Sequence, residues 1–383
     1  MKTDQSILLD EPKEVDVVAI ERELSLLWKD ATDSAGGSAS APEVRACSLN
    51  FIVVTGDLFE AEAIGDLVGE VTVEHPSRIF LVAAERSSAT SSMEAWISAR
   101  CSLPVPGGKQ VCCEQITIVG RGTDAQKIPS IITSLLVPDV PVVLLWKATV
   151  DTSDTILRAL VHICDRALID SSEDLAPETA LGAWETLIRQ ERDHATFGDL
   201  AWTHLIELRS LIAQTFQPLK IRQHLATLDT VTIIYSSTHK PQHSGLSQAL
   251  LLTGWLALKL EWVLIHPLRQ SGAGEYSAKF RLGDQAVTVS LVPTGSTPDS
   301  PGCIESVSIH SSAGLDLRLQ TFADRGEIHV STHVRNESQD RVALVKDQTE
   351  AQLTSRELEM LERDTLYEQS LTKFVQILAG KPE

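Results

Sequence analysis

The sequence predicts an α/β fold: a Rossmann-like amino-terminal domain with a largely parallel sheet, followed by an α+β domain with an antiparallel meander. Three observations carry this. SLNFIVVTG, RIFLVAAE and VPVVLLWKA are unbroken apolar runs, as expected of strands buried on both faces. Helical periodicity fills the stretches between them, which makes βαβ units. From Tyr276 to Val334 the pattern changes to apolar/polar alternation broken by turns.

Residues 1–43 form an appendage to the two domains. Val15 to Thr32 reads as a helix, because Val18, Ile20, Leu24, Leu27 and Trp28 recur at about 3.6 residues. DSAGGSASAPE, Asp33 to Glu43, is a Gly/Ser/Ala linker without periodicity. An amphipathic helix on such a linker docks either on its own body or on a partner.

Residues 44–193 make the α/β domain. DLFEAEAIGDLVGEV is a helix with Asp57 placed as its N-cap. SMEAWISARC and QVCCEQITIVG are strands of a hairpin joined through LPVPGGK. AQKIPSIITSLLVPD is a helix with Pro129 in its first turn. The helices DTSDTILRALVHICD and PETALGAWETLIRQERD flank a strand at RALIDSS.

Residues 194–383 make the second domain. FGDLAWTHLIELRSLIAQTFQPLK is a long helical pattern from Phe197, with Asp199 as its cap. LDTVTIIYSS is a strand, and Gly245 to Ile265 reads as a buried helix. The uncharged part of that helix, Ala249 to Leu258, falls short of the about 20 apolar residues a membrane span needs. KFRLGDQAVTVSLVP, IESVSIHSS, LDLRLQTFAD and EIHVSTHVR are the meander strands. Tight turns fall at Gly283-Asp284, Ala313-Gly314 and Arg325-Gly326. LTSRELEMLERDTLYEQSLTKFVQIL closes the chain as one amphipathic helix.

The formal net charge of −19 repels phosphate backbones and anionic lipid, so neither nucleic acid nor a membrane surface is an expected partner. The start, MKTDQSILLDEPKEVD, lacks the apolar core of a secretory signal. Six cysteines in 383 residues, at spacings that do not repeat, fit a reducing cytoplasm and mostly buried thiols.

Chemistry-bearing motifs are few. No GxGxxG follows FIVVTG, and no GxxxxGK[ST] occurs. Arg121, between Gly120 and Gly122, is the nearest thing to an anion cradle; its other reading is a turn leaving a strand. His75 and Arg78 in HPSR could hold an anion or a partner carboxylate, or simply serve a strand-entry turn. Asp139, between two prolines, is placed to hold its loop by accepting backbone N–H bonds. Trp146 stands at a strand's carboxyl end, where ligands bind in such sheets, or else caps the core. CxxC, HExxH and GxSxG are absent, so no metal ligands, catalytic residues or cofactor are assigned. Cys112 and Cys113 face opposite sides of their strand. Cys101, across the LPVPGGK loop, can lie opposite Cys112 or Cys113, which makes Cys101 and Cys112 a possible redox pair. Packing as small buried hydrophobes is the plainer reading, and Glu114 and Gln115 could matter more than either thiol.

RACSLNFIVV, HPSRIFLVA, the Cys101 region with VCCEQITI, and LLVPDVPVVLLW form a series that resembles the amino-terminal half of the OpcA family, the glucose-6-phosphate dehydrogenase assembly proteins. In the same order, FGDLAWTHLIELRSLIAQTF resembles that family's Asp-Leu-x-Trp-Thr helix, and LLTGWLALKLEW its Gly-Trp-Leu-Ala helix. The resemblance covers roughly residues 44 to 375. It implies a non-enzymatic partner that promotes the active oligomer of glucose-6-phosphate dehydrogenase, raises its activity, and so controls NADPH supply through the oxidative pentose phosphate pathway.

The sequence departs from the family pattern where Leu-Trp-Trp is here Leu145-Trp146-Lys147, and where Thr-Arg is here Thr203-His204. Only Cys303 lies beyond residue 164, so carboxyl-terminal thiol control does not carry over. The interface candidates are His75, Arg78, Arg121, Asp139 and Trp146, together with Leu24, Leu27 and Trp28 of the amino-terminal helix. The residues alone leave open a second reading: an enzyme or sensor binding a sugar phosphate or nucleotide on the α/β domain.

Overall fold

The computed structural model describes residues 7–8, 13–35, 43–102, 110–174, 176–237, 245–272, 274–295, 303–345 and 348–381. The linker at 36–42, the hairpin loop 103–109 and the HKPQH stretch at 239–243 lie outside the described residues. The chain forms two compact units, each assembled from several stretches. The first holds residues 1–169, 190–198 and 349–363; the second holds 170–189, 199–348 and 364–383. These units interleave segments from both sides of the 193/194 boundary expected above.

The first half of the chain runs β1 (Ile7–Leu8), β2 (Lys13–Val15), α1 (Ile20–Ala35), β3 (Glu43–Arg45), β4 (Leu49–Thr55), α2 (Leu58–Ala63), α3 (Gly65–Glu74), β5 (Ser77–Glu85), β6 (Ser92–Ser102), β7 (Gln110–Arg121), α4 (Ile128–Leu135), β8 (Val142–Trp146), α5 (Thr155–Val161), β9 (Arg166–Ile169), α6 (Pro177–Glu191) and β10 (Thr196–Asp199). Its sheet has the order β1-β6-β7-β5-β4-β8-β9-β10, with β2 on β6 and β3 on β7. The β7-β5-β4 and β4-β8-β9 neighbours are parallel, whereas β6 runs antiparallel to β7. Strand order reverses between β4 and β8, the topological switch point of a doubly wound sheet. β4 and β8 are buried along their whole length, which is why their sequences do not alternate.

The second half runs α7 (Leu200–His204), α8 (Ile206–Thr215), α9 (Leu219–Arg222), β11 (Leu228–Ser237), α10 (Leu246–Lys259), β12 (Val263–Gln270), β13 (Tyr276–Leu282), β14 (Gln285–Gly295), β15 (Ile304–Ser311), β16 (Leu315–Phe322), β17 (Glu327–Val334), β18 (Glu337–Leu344), α11 (Glu350–Glu359) and α12 (Thr365–Ala379). The sheet order is β12-β13-β14-β11-β15-β16-β17-β18. It is antiparallel except that β11 inserts parallel to β14, so the meander is interrupted at its centre. Gly283, Gly314 and Gly326 hold the left-handed conformations that the predicted turns require.

Several elements differ from expectation. Phe197 belongs to β10 and not to a helix, and Asp199 ends that strand while capping α7. The buried helix stops at Lys259, and Val263 begins an edge strand. KFRLGDQAVTVSLVP spans two strands hinged at Gly283. The closing helix is two, α11 and α12, because Asp364 caps a fresh helix and accepts the Tyr367 N–H.

In the second unit α10 is buried through nearly all of its turns. Gly254 lets it approach α12: a Cβ there would collide with the Ser370 carbonyl and with Phe374. Among the described residues, no helix is long and apolar enough to cross a membrane.

Candidate functional site

The carboxyl edge of the first sheet is the place where a doubly wound fold binds ligands. After β4 the chain turns through Gly56 into α2. Asp57 caps that helix by accepting the Glu60 N–H at 2.9 Å, and Glu60 folds back to accept the Gly56 N–H at 2.9 Å. Glu85, at the end of β5, faces the Leu58 N–H at 3.4 Å. Backbone donors that could cradle a phosphate thus already carry the protein's own carboxylates.

The cations of this edge are also engaged. Arg121 pairs with Glu85 at 2.8 Å and with Glu94 at 2.5 Å, so it is no anion cradle. Arg86 pairs with Asp154 and lies over the Trp146 ring, 5.6 Å from its centroid. Asp154 in turn caps α5. Trp146 is 1% exposed and caps the core, with its indole N–H on the Thr149 carbonyl. Lys147, the departure from the family's Leu-Trp-Trp, meets Glu350 of α11 at 2.6 Å.

At the opposite edge of the same sheet, the amino-terminal helix is held to its own body. Glu114 of β7 is 4% exposed and sits at the centre. One of its oxygens accepts from Arg78 Nε and Nη2, at 2.8 and 2.7 Å. The other accepts from the Trp28 indole and from Arg45, both at 2.6 Å. Arg78 also reaches Glu21 at 2.6 Å and the Leu135 carbonyl at 2.5 Å. Ile20 and Leu24 of α1 are buried. Placed on these grounds, Arg78, Leu24 and Trp146 are internal residues, and Leu27 and Trp28 are half-buried.

His75 ends α3 and is half-buried. Asp139 is exposed with φ 63°. Its expected part in holding the loop is taken by Asn50, whose amide clasps both the N–H and the C=O of Val137 at 2.9 Å. Cys101 and Cys112 are direct cross-strand neighbours, fully buried and disulfide-bonded. Burial pushes the Cys113 thiol up to about 11, so it stays protonated and inert at neutral pH. Glu114 was legible as a polar residue in an apolar strand, whereas its partners Arg78, Arg45 and Trp28 come from other parts of the chain.

Among the described residues, two cavities lie each within one unit. One, of about 70 Å³, lies in the second unit among Leu205, Leu208, Ile304, Phe322 and Ile328, far below the about 300 Å³ of a small-molecule pocket. The other, of about 450 Å³ in the first unit, is open and rimmed by Glu14, Asp16 and Glu94, which repel a phosphate.

These features define a Rossmann-like protein whose switch-point crevice is furnished with its own paired side chains. Residues 68–186 match the family model described as glucose-6-phosphate dehydrogenase subunit N-terminal domain, and residues 195–371 match the corresponding C-terminal domain. The chain belongs to this OpcA family. Curated relatives named as OxPP cycle protein OpcA include those of Nostoc punctiforme, 27% identical over 80% of this chain, and Synechocystis, 26% identical over 80%. The chain spans about two thirds of their length, 66% and 65% respectively. Among solved structures, a 3-ketoreductase from Actinomadura kijaniata is similar at TM-score 0.49 and 11% identity, covering 86% of this chain and 96% of its own. A dehydrogenase from Clostridium difficile gives TM-score 0.41 and 9% identity, covering 86% and 97%.

Proposed function

We propose that this protein is a non-enzymatic assembly factor and allosteric activator of glucose-6-phosphate dehydrogenase. It acts in the cytoplasm and promotes the active oligomer of the dehydrogenase in the oxidative pentose phosphate pathway. Family membership supports the partner. The observation that supports the non-enzymatic part is the N-terminus of α2, where Asp57 and Glu60 accept backbone N–H groups and Glu85 faces the Leu58 N–H. Activation is linkage: the protein binds the active dehydrogenase conformation more tightly than the inactive one and shifts the population by that difference.

The interface lies on the first unit, at the amino-terminal edge of its sheet, around the groups there that keep exposure: Asp139, His75, and Leu27 with Trp28. Leu24 and Arg78 are buried in the same unit. The test is co-purification with the dehydrogenase of the same organism, with velocity and substrate affinity measured on the mixture. Association together with a change in velocity or affinity is expected. Neither association nor any kinetic change would overturn the reading. Removing residues 1–43 distinguishes the α1 surface: unchanged activation would take Leu27 and Trp28 out of the interface.

A further inference from the structure

The first unit carries a cluster that the proposed function does not use. His162 follows α5 as its C-cap, Glu191 ends α6, and His194 lies in the turn just after it. His162 Nε2 stands 2.7 Å from Glu191 Oε2, and the two imidazoles stack with centroids 4.3 Å apart at 22°. One ligand atom from each of the three residues falls within 4.8 Å of the others.

Glu191 is buried, 4% exposed, and its orientation is fixed from the far side. Arg158 donates to Oε1 from Nε at 3.1 Å and from Nη2 at 3.0 Å, which leaves Oε2 turned toward the histidines. The turn is set by the His194 N–H on the Glu191 carbonyl at 2.9 Å. Both histidines are exposed. The His194 ring nitrogens make no hydrogen bond to another described residue, so its side chain is oriented here by stacking alone.

We propose that His162, Glu191 and His194 form a binding site for a divalent transition-metal ion. Two imidazoles and one carboxylate suit zinc, nickel or cobalt, and do not suit magnesium or calcium, which take all-oxygen sets. Three protein ligands leave coordination positions open to water on the exposed side. Arg158 serves as the positioning residue: it neutralises the oxygen that does not ligate and locks the carboxylate. The bound ion ties the end of α5 to the turn after α6.

The experiment uses the full chain, freed of metal by chelation, titrated with zinc chloride by calorimetry and with cobalt chloride by visible absorption. One ion per chain is expected, with a micromolar or tighter dissociation constant and a cobalt ligand-field band. His162→Ala and His194→Ala, both at exposed positions, should each weaken zinc at least tenfold and abolish the band. His239→Ala with His243→Ala should change neither. Zinc affinity unchanged in the His162→Ala/His194→Ala double variant would overturn the site. So would magnesium binding as tightly as zinc, or zinc affinity lost only on changing His239 and His243.

Discussion

Arg166 and Glu357, separated by 191 residues in the chain, form a fully buried ion pair in the first unit. Arg166 Nε lies 3.1 Å from Glu357 Oε2 and its Nη2 contacts the same oxygen, while Nη1 reaches the Glu362 carbonyl at 3.2 Å. The pair anchors α11 to the start of β9, and Lys147 with Glu350 anchors the helix's other end. Breaking one partner leaves an uncompensated buried charge. Glu357→Gln should therefore cost about 3–5 kcal/mol in urea unfolding, and the apolar double variant Arg166→Met/Glu357→Leu markedly less. Equal losses for the single and double variants would contradict this.

Glu114 is the residue through which α1 is held. Glu114→Gln weakens the partner of buried Arg78 and should cost about 3 kcal/mol. It should also speed amide exchange across residues 20–29, because the Trp28, Arg45 and Arg78 contacts loosen together. Trp28→Phe removes the indole hydrogen bond to Glu114 and should cost about 1 kcal/mol. Slow exchange over α1 in Glu114→Gln would show that Ile20 and Leu24 hold the helix without the network.

Gly254 is a packing requirement. Gly254→Ala forces α10 away from Ser370 and Phe374 of α12. The expected loss is about 1–3 kcal/mol, although alanine is the better helix former. Thermal unfolding of the single variant checks the sign.

Asp199 gives a pH dependence. Burial lifts its carboxyl to about 7, against hydrogen bonds from Ser171 and Ala201, and its second oxygen has no hydrogen-bond partner among the described residues. Below pH 4 the group is protonated in both the folded and the unfolded chain. Between pH 4 and 7 the unfolded chain releases the proton and the folded one retains it, so stability falls as pH rises through this window. Asp199→Asn keeps the acceptor for the Ser171 and Ala201 N–H groups and removes the titration. The variant should lose this component of the pH slope and gain stability over the parent at pH 8. An unchanged slope would contradict the assignment.

The buried strands were legible because Leu49–Thr55 and Val142–Trp146 are uniformly apolar, and the turns because Gly283, Gly314 and Gly326 interrupt alternation. Phe197–Asp199 was hidden as a strand because it runs straight into a capped helix. Val263–Ile265 continued the apolar pattern of α10 and so passed for helix. The break at residues 360–364 was masked by helical periodicity on both sides. For the site, the missing phosphate loop and the polar Glu114 were visible in the sequence. What filled the crevice was not, since Lys147 meets Glu350 across 203 residues, and neither was the separate pair of His162 with Glu191, 29 residues apart. Such pairs are set by tertiary packing, to which local pattern is blind.

The most direct test of the account is sedimentation velocity of purified glucose-6-phosphate dehydrogenase, alone and with this protein at micromolar concentration, with activity assayed on the same samples. The account predicts a co-sedimenting complex, a shift of the dehydrogenase toward its larger oligomer, and a higher velocity. Unchanged sedimentation together with unchanged velocity would contradict it.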